Sequence, residues 1–554
     1  MSGYFDLGEY SRPVSTRSAE AQTWFDRGLV WTYAFNHEEA VACFRKALDA
    51  DPQLAIAWWG VAYALGPNYN KPWEAFDAAD LGSTVDQVFA ASAEATEHAG
   101  HADDVEAALI EAIRARYPAA QPAEDLDVWN DAYARAMADV YRRFPDDLDV
   151  AALYADALMN LTPWALWDVF TGEPAEGAAT VTIKEVLDRA LALPGGQDHP
   201  GLVHLYIHLM EMSGAPEAAL PIADRLRGMV PDGGHLEHMP THLDVLTGDY
   251  RRVITSNTDA IKADARYVDH AGVMNFYTLY RCHNLHFRLY GALFLGASAI
   301  AFETADLIEQ SIPEELLRIQ SPPMADWLES FGAMRVHVLI RFGRWKDILD
   351  LALPKDHQLY CTTTAMLHYA RGIACAVTGA HDQATTEQRL FTEAVARVPE
   401  TRTLFNNTCQ DILQIAGAML EGEIAYRSGD VDRGLAALRR AVDLDDHLPY
   451  DEPWGWMQPT RHAYGALLLE QGRVEEAESV YRADLGLDPT VPRSQHHPKN
   501  VWALHGYHEC LNRLGKTESA AIVGQQLTLA RAHADVPIES SCFCRLDVGG
   551  HHCH

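Results

Sequence analysis

Residues 21–52 read AQTWFDRGLVWTYAFNHEEAVACFRKALDADP, and their spacing decides the fold. Counting from Ala21, Trp24, Gly28, Ala40, Phe44, Ala47 and Pro52 stand at positions 4, 8, 20, 24, 27 and 32. Two amphipathic helices joined by a short turn account for that spacing. Small residues at 8 and 20 let the helices approach closely. Aromatic rings at 4 and 24 fill the space around the contact, and the proline at 32 stops the second helix.

The pattern recurs along the chain. Gly465, Ala477, Tyr481 and Pro489 repeat positions 8, 20, 24 and 32, and Gly422, Gly434, Leu438 and Ala441 mark the copy before them. Gly372 with Ala384 marks a weaker copy. Between Thr180 and Ile348 the small-residue signature fades, but the turn glycine of position 15 persists at Gly214, Gly248, Gly296 and Gly343. Residues 67–161 depart most, reading as helical pairs outside the consensus, with helices over 85–98, 104–116 and 129–144. Several copies in phase resemble the tetratricopeptide-repeat family. The resemblance implies an all-α solenoid of stacked helix-turn-helix repeats, a right-handed superhelix with a concave groove. Each repeat depends on its neighbours, so one continuous array is expected. Its segments are a first repeat (1–66), divergent helical pairs (67–179), His-rich degenerate repeats (180–350), C-terminal repeats (351–535) and a Cys/His tail (536–554).

The 554-residue chain carries 44 basic and 78 acidic residues, a formal net charge of -34. That charge repels phosphate backbones and anionic lipid, so neither nucleic acid nor a membrane is expected as a partner. The start, Met1-Ser-Gly-Tyr-Phe-Asp-Leu-Gly-Glu, has no basic-then-apolar leader, and no apolar run is long enough to span a bilayer. A cytoplasmic location is the expectation. Nine scattered cysteines do not suggest a disulfide framework.

The histidines carry the functional signal. Eight fall between His204 and His286, where the chain average of 26 in 554 predicts about four. Taking the turn glycines as position 15, seven of the eight occupy the groove-facing positions 2, 5, 9 and 12. His204, His208 and Glu211 stack at i, i+4 and i+7 of one helix. His235, His238 and His242 share a face of the next, and His283 and His286 a face of the third. Imidazoles from adjacent helices can converge on a transition metal, and imidazole with an added carboxylate suits Cu, Fe or Zn. No His-Glu-x-x-His stretch is present, which removes the zinc-peptidase reading. His337, Glu423, His462, His505 and Glu509 also fall at groove positions, with ordinary polar roles the simpler account. In the tail, Cys542 and Cys544 are further metal-ligand candidates, with His551, His552, Cys553 and His554 adding donors.

Phe35-Asn-His-Glu-Glu-Ala-Val, Trp59-Gly-Val-Ala-Tyr-Ala-Leu-Gly-Pro-Asn68, His238-Met-Pro-Thr-His242 and His283-Asn-Leu-His286-Phe together resemble a group of large bacterial tetratricopeptide-repeat proteins. That resemblance implies fold and site location but no reaction. It adds His37 and Asn68 as groove-mouth residues, although His37 also stands where the second helix starts. Two functions stay open on the sequence. One is a metal-dependent enzyme, with oxidoreductase chemistry the expectation, acting on a small molecule or peptide. The other is a non-catalytic scaffold whose groove binds a peptide or partner protein. No catalytic residue is assigned.

Overall fold

A computed structural model describes residues 3–547, so His551, His552, Cys553 and His554 lie outside the described residues. Within that span helices make up most of the regular structure. Extended pairing among the described residues is confined to the short hairpin Thr403–Leu404 with Asn407–Thr408 and two isolated bridges. No helix is long and apolar enough to cross a membrane.

The helices come in antiparallel pairs where the spacing predicts them. Ala19–Tyr33 packs on His37–Ala50, Cys361–Val377 on His381–Val395, Cys409–Arg427 on Val431–Asp446 and Thr460–Glu470 on Val474–Asp484. The divergent stretch also folds as helices: Ala78–His98 starts seven residues before the predicted 85, Asp104–Arg116 is as predicted, and Asp127–Arg143 lies within two residues of the predicted bounds. Caps set many of the starts. The Ser18 side chain accepts from Ala21 N, and Asn36 Oδ1 accepts from Glu39 N. At Asp103 a full capping box forms with Glu106.

The close approach read from position 8 is real. A Cβ added at Gly28 would meet the Phe44 ring at 2.7 Å, and one at Gly465 would meet the Tyr481 ring at 2.6 Å. The aromatic of position 24 therefore packs directly on the backbone of the first helix, in a space no side chain can share. The turns also follow the reading. Gly248, Gly296, Gly343, Gly379, Gly429 and Gly472 all have positive φ. Gly214 does not. The helix before it ends at Glu211 and turns differently, so Gly214 is not the left-handed turn that its position predicts.

The chain divides into two compact units rather than one uninterrupted array. The first comprises Met1–Leu243 and Asp259–Tyr280, the second Asp244–Thr258 and Arg281 onward. Each holds a buried aspartate that gathers several donors. In the first unit Asp149 Oδ1 accepts from Tyr10 and Tyr33 hydroxyls, both at 2.5 Å, and from His199 Nε2 at 3.1 Å, while Oδ2 accepts from Arg12 Nη1 at 2.6 Å. In the second, Asp484 accepts from His462 Nε2 and His497 Nδ1 at 3.0 Å and from Asn500 Nδ2 at 2.9 Å. Burial alone would raise the Asp149 carboxyl. The His199 hydrogen bond, the Arg12 charge and the Tyr10 hydroxyl outweigh burial and hold it well below the usual range.

Two outcomes follow. Gly28→Ala gains helix propensity, about 1 kcal/mol, but drives a methyl into the Phe44 ring, which costs ~1–3 kcal/mol. A lowered urea midpoint is expected, and a raised one contradicts the contact. Asp149→Asn removes the charge that Arg12 and His199 face, at a cost of about 3 kcal/mol near neutral pH. Because the folded carboxyl is depressed, its contribution is whole above the unfolded value near 4 and is lost as pH falls through the folded one. Denaturant midpoints of wild type and variant should therefore converge on acidification, and a gap that stays constant contradicts the assignment.

Candidate functional site

Helix Pro200–Glu211 is the spine of the candidate site. Its residues are buried all round. Such a helix packs against neighbours on every face, so polar side chains on it need partners from other elements. His199 caps its start. Nδ1 of His199 accepts from Leu202 N at 3.1 Å, so the ring proton sits on Nε2 and donates to Asp149. One imidazole thus ties the helix start to the buried aspartate.

The other end is tied by Glu211, which has no solvent exposure. Its Oε1 lies 2.8 Å from His208 Nδ1 and its Oε2 lies 2.6 Å from His242 Nδ1. A carboxylate only accepts, so both Nδ1 atoms donate and both Nε2 atoms carry lone pairs. His242 Nε2 then accepts from His238 Nε2 at 2.7 Å. His204 is oriented in the same sense, its Nδ1 donating to the Tyr33 carbonyl at 2.7 Å. That carbonyl belongs to the last turn of Ala19–Tyr33, which leaves its acceptors without intrahelical donors.

The sequence places His235, His238 and His242 on one helix face. The structure corrects this. The helix stops after Gly234–His238 and restarts as Thr241–Thr247, because Pro240 between them offers no N–H to the ladder. The break leaves His242 beside Glu211, while His235 turns toward His204 and His208. One ring nitrogen from each of His204, His208 and His235 lies within 4.8 Å of the other two. Among the described residues this three-histidine group falls wholly within one unit, as do His208, Glu211 and His242 of a second group, whose Nδ1 and carboxylate atoms are already hydrogen-bonded to one another. Nε2 of His204 and Nε2 of His208 are buried with no hydrogen-bond partner.

Three aromatic rings wall this group. Phe35 lies 4.5 Å from the His204 ring by centroid and stacks on His208 and His235 at 5.9 and 5.6 Å. Tyr69 and Trp164 lie 5.1 and 5.8 Å from His208. Phe35 and Trp164 both have left-handed backbone, φ 54° and 59°. Phe35 occupies position 15 of the first repeat, where the other copies carry glycine. A non-glycine residue there costs ~1–2 kcal/mol, so the ring is held in place against strain. The sequence reading passed over Phe35, and a bulky residue at the turn-glycine position was the available signal. Burial pulls the His204 ring down to about 3, a shift that the Tyr33 carbonyl only partly offsets. Burial and the neighbouring histidines hold His208 well below its ordinary value. Both rings are therefore neutral.

The remaining predicted residues are placed differently. The eight histidine-site residues were expected to line an open groove, yet His204, His208, Glu211, His235, His238, His242 and His286 are at most 1% exposed and His283 is 7% exposed. They are enclosed between helices. His283 and His286 belong to the second unit, where Phe405, another left-handed residue, packs on both at 4.8 and 6.4 Å. Cys542 and Cys544 are joined by a disulfide, so neither offers a thiolate to a metal. The tail around them docks in the second unit, where Ser541 Oγ donates to the His462 carbonyl at 2.7 Å. Glu423 and Glu509 are paired with Arg427 and Arg545 at 2.9 and 2.8 Å, and His462 Nε2 donates to Asp484 at 3.0 Å. His337 packs edge-on against Trp456, and His505 Nδ1 accepts from Arg531 at 2.8 Å.

The first unit also carries a cleft of about 380 Å³, lined in part by Phe35, His37, Lys71, Phe276 and Tyr280. His37 and Asn68 both line it, and His37 also begins helix His37–Ala50. His37 Nδ1 donates to the Ala64 carbonyl at 3.0 Å, which leaves Nε2 as an acceptor with no partner. A separate cavity of about 20 Å³ touches His204, room for one water.

Residues 21–54 match the tetratricopeptide repeat model. No curated protein matches the chain in sequence. Among solved structures it is similar to the APC/C hetero-tetramer Cut9-Hcn1, at 13% identity over 89% of this chain and 76% of that one, with a TM-score of 0.31. It is likewise similar to yeast Tom70, at 11% identity over 93% and 95% of the two chains, with a TM-score of 0.27. Neither partner nor activity passes to this chain at such scores. Residues 21–54 are thus a tetratricopeptide-type repeat, and stacked helix pairs follow it in an all-α chain.

Phe35→Gly tests whether the strained ring matters. Glycine relieves the left-handed backbone, but loss of a buried Phe side chain costs ~3–5 kcal/mol, leaving a net loss of about 2–3 kcal/mol. Chemical denaturation should show that loss. Unchanged or increased stability contradicts the role given to the ring.

Proposed function

We propose that this chain is a non-catalytic helical-repeat scaffold that holds an extended segment of a partner protein in the cleft of its first unit. The observation that carries this reading is the cleft's wall. Apolar rings, Phe276 and Tyr280, stand beside charged heads, Arg45, Lys71, Glu38 and Asp80. His37 lines the same space, and its buried Nε2 is an acceptor without a hydrogen-bond partner. A peptide presents matching groups, with side chains for the rings and backbone N–H groups for the acceptor. Lys71 lies 5.1 Å from the Phe276 ring centroid and 2.7 Å from Asp80, so its charge is already oriented along the cleft. Binding by stacked helix pairs is also the commonest use of such an architecture.

Metal-dependent catalysis, placed first by the sequence, takes second place. The imidazoles it would use are enclosed, and the cavity touching His204 admits nothing larger than water. A reaction on a peptide or larger molecule needs an opening wider than that.

Selection of short random peptides on the wild-type chain tests the scaffold reading. Enriched peptides should lose at least tenfold in affinity on His37→Ala and on Tyr280→Ala, each loss corresponding to about 1.4 kcal/mol or more. Peptides that bind both variants as well as wild type, or a selection without enrichment, contradict it.

A further inference from the structure

Partner binding leaves the enclosed imidazoles unexplained. Two buried acceptors, His204 Nε2 and His208 Nε2, sit without partners in the same small volume, and a buried lone pair that meets nothing is a net loss to the fold. The geometry points to a transition-metal site in the first unit, with His204, His208 and His235 as its three nitrogen ligands.

Four observations support it. The donors come from two helices, Pro200–Glu211 and Gly234–His238, and their nitrogens lie within 4.8 Å of one another. Metal–nitrogen bonds of about 2.0–2.1 Å would draw the three nitrogens together around one ion. The tautomers are already those a metal requires, because His204 and His208 each donate Nδ1–H to a protein acceptor and turn Nε2 inward. A ligand histidine whose second nitrogen donates to a carbonyl or carboxylate is the ordinary outer arrangement of a metal site. Here the Tyr33 carbonyl and Glu211 fill those two roles. The aromatic walls of Phe35, Tyr69 and Trp164 keep bulk water out. Finally, a cavity that His204 lines has room for one water beside that ring.

The ligand set selects a borderline divalent ion. Three neutral imidazoles suit Zn²⁺, Co²⁺, Ni²⁺ or Cu²⁺ and disfavour Mg²⁺ and Ca²⁺, which prefer oxygen. Glu211, through His208, balances part of the ion's charge and acts as a positioning residue. His242 takes the other Glu211 oxygen, and His238 is bonded to His242.

The test is Co²⁺ titration of the full chain without an affinity tag, in a background where His551→Ala, His552→Ala, Cys553→Ala and His554→Ala remove the tail donors. One equivalent of Co²⁺ should bind and show visible d–d absorption, and one equivalent of Zn²⁺ should displace it. His208→Gln and His235→Gln should each weaken Co²⁺ binding at least a hundredfold. Glu211→Gln should weaken it ten- to a hundredfold and shift the absorption while the ligand number stays the same. X-ray absorption of the Zn²⁺-loaded parent counts imidazole ligands directly, so the question is decided even if a variant fails to fold. Three imidazoles in the first shell support the site. Absence of stoichiometric binding, a first shell without imidazole, or unchanged affinity in folded His208→Gln and His235→Gln overturns it and leaves a water as the occupant.

Discussion

A carboxylate with no access to water must be met by donors, and Glu211 imposes that requirement on everything around it. It takes one hydrogen from His208 and one from His242, which joins helix Pro200–Glu211 to helix Thr241–Thr247. The same two bonds decide which nitrogen of each ring carries a proton, and so which way the lone pairs face. At the far end of the helix the chemistry is repeated with His199 and Asp149. A helix pinned at both ends by imidazole–carboxylate pairs has little freedom to slide. The positions of His204 and His208 are fixed as a consequence. The second unit uses the same device at Asp484, which collects His462, His497 and Asn500.

Strain is spent where the imidazoles are enclosed. Phe35, Trp164 and Phe405 are left-handed without being glycine, and all three place a ring against a histidine. At Phe35 the repeat supplies a turn that glycine would make at lower cost, while Phe405 sits in the hairpin turn and Trp164 in a loop. An aromatic residue there exchanges local ease for a dry wall around the ring nitrogens. The energetic logic is that of a site held rigid by its surroundings, since an off-minimum backbone persists only when packing over-determines it.

The parts of this picture that sequence made legible are those set by local spacing. Gly28 against Phe44 and Gly465 against Tyr481 follow from a helix-turn-helix period, and the structure places both contacts as read. His204, His208 and Glu211 share a face because i, i+4 and i+7 must do so on an unbroken helix. Local spacing failed where one residue breaks the period. Pro240 splits the helix that was to carry His235, His238 and His242 together, and only then can His235 join the first pair. It failed again where chain division matters, since nothing in the spacing of His283 and His286 assigns them to the second unit. Asp149 and its donors Tyr10, Arg12 and His199 are far apart in sequence and carry no shared motif, so that network was invisible. Burial was the largest miss. A repeat register tells which residues share a face but not whether that face meets solvent.

Glu211 and the Tyr33 carbonyl place a proton on Nδ1 of His204, His208 and His242, and burial keeps the His204 and His208 rings neutral. Nitrogen NMR of the histidine side chains reports this directly, because protonated and unprotonated ring nitrogens have distinct shifts and couplings. On metal-free protein, these three residues should appear as Nδ1–H tautomers, and His204 and His208 should keep that form through the range near pH 6.5 where an ordinary histidine titrates. Rings protonated on Nε2 at His204 or His208, or rings that titrate with the exposed histidines, would contradict the account.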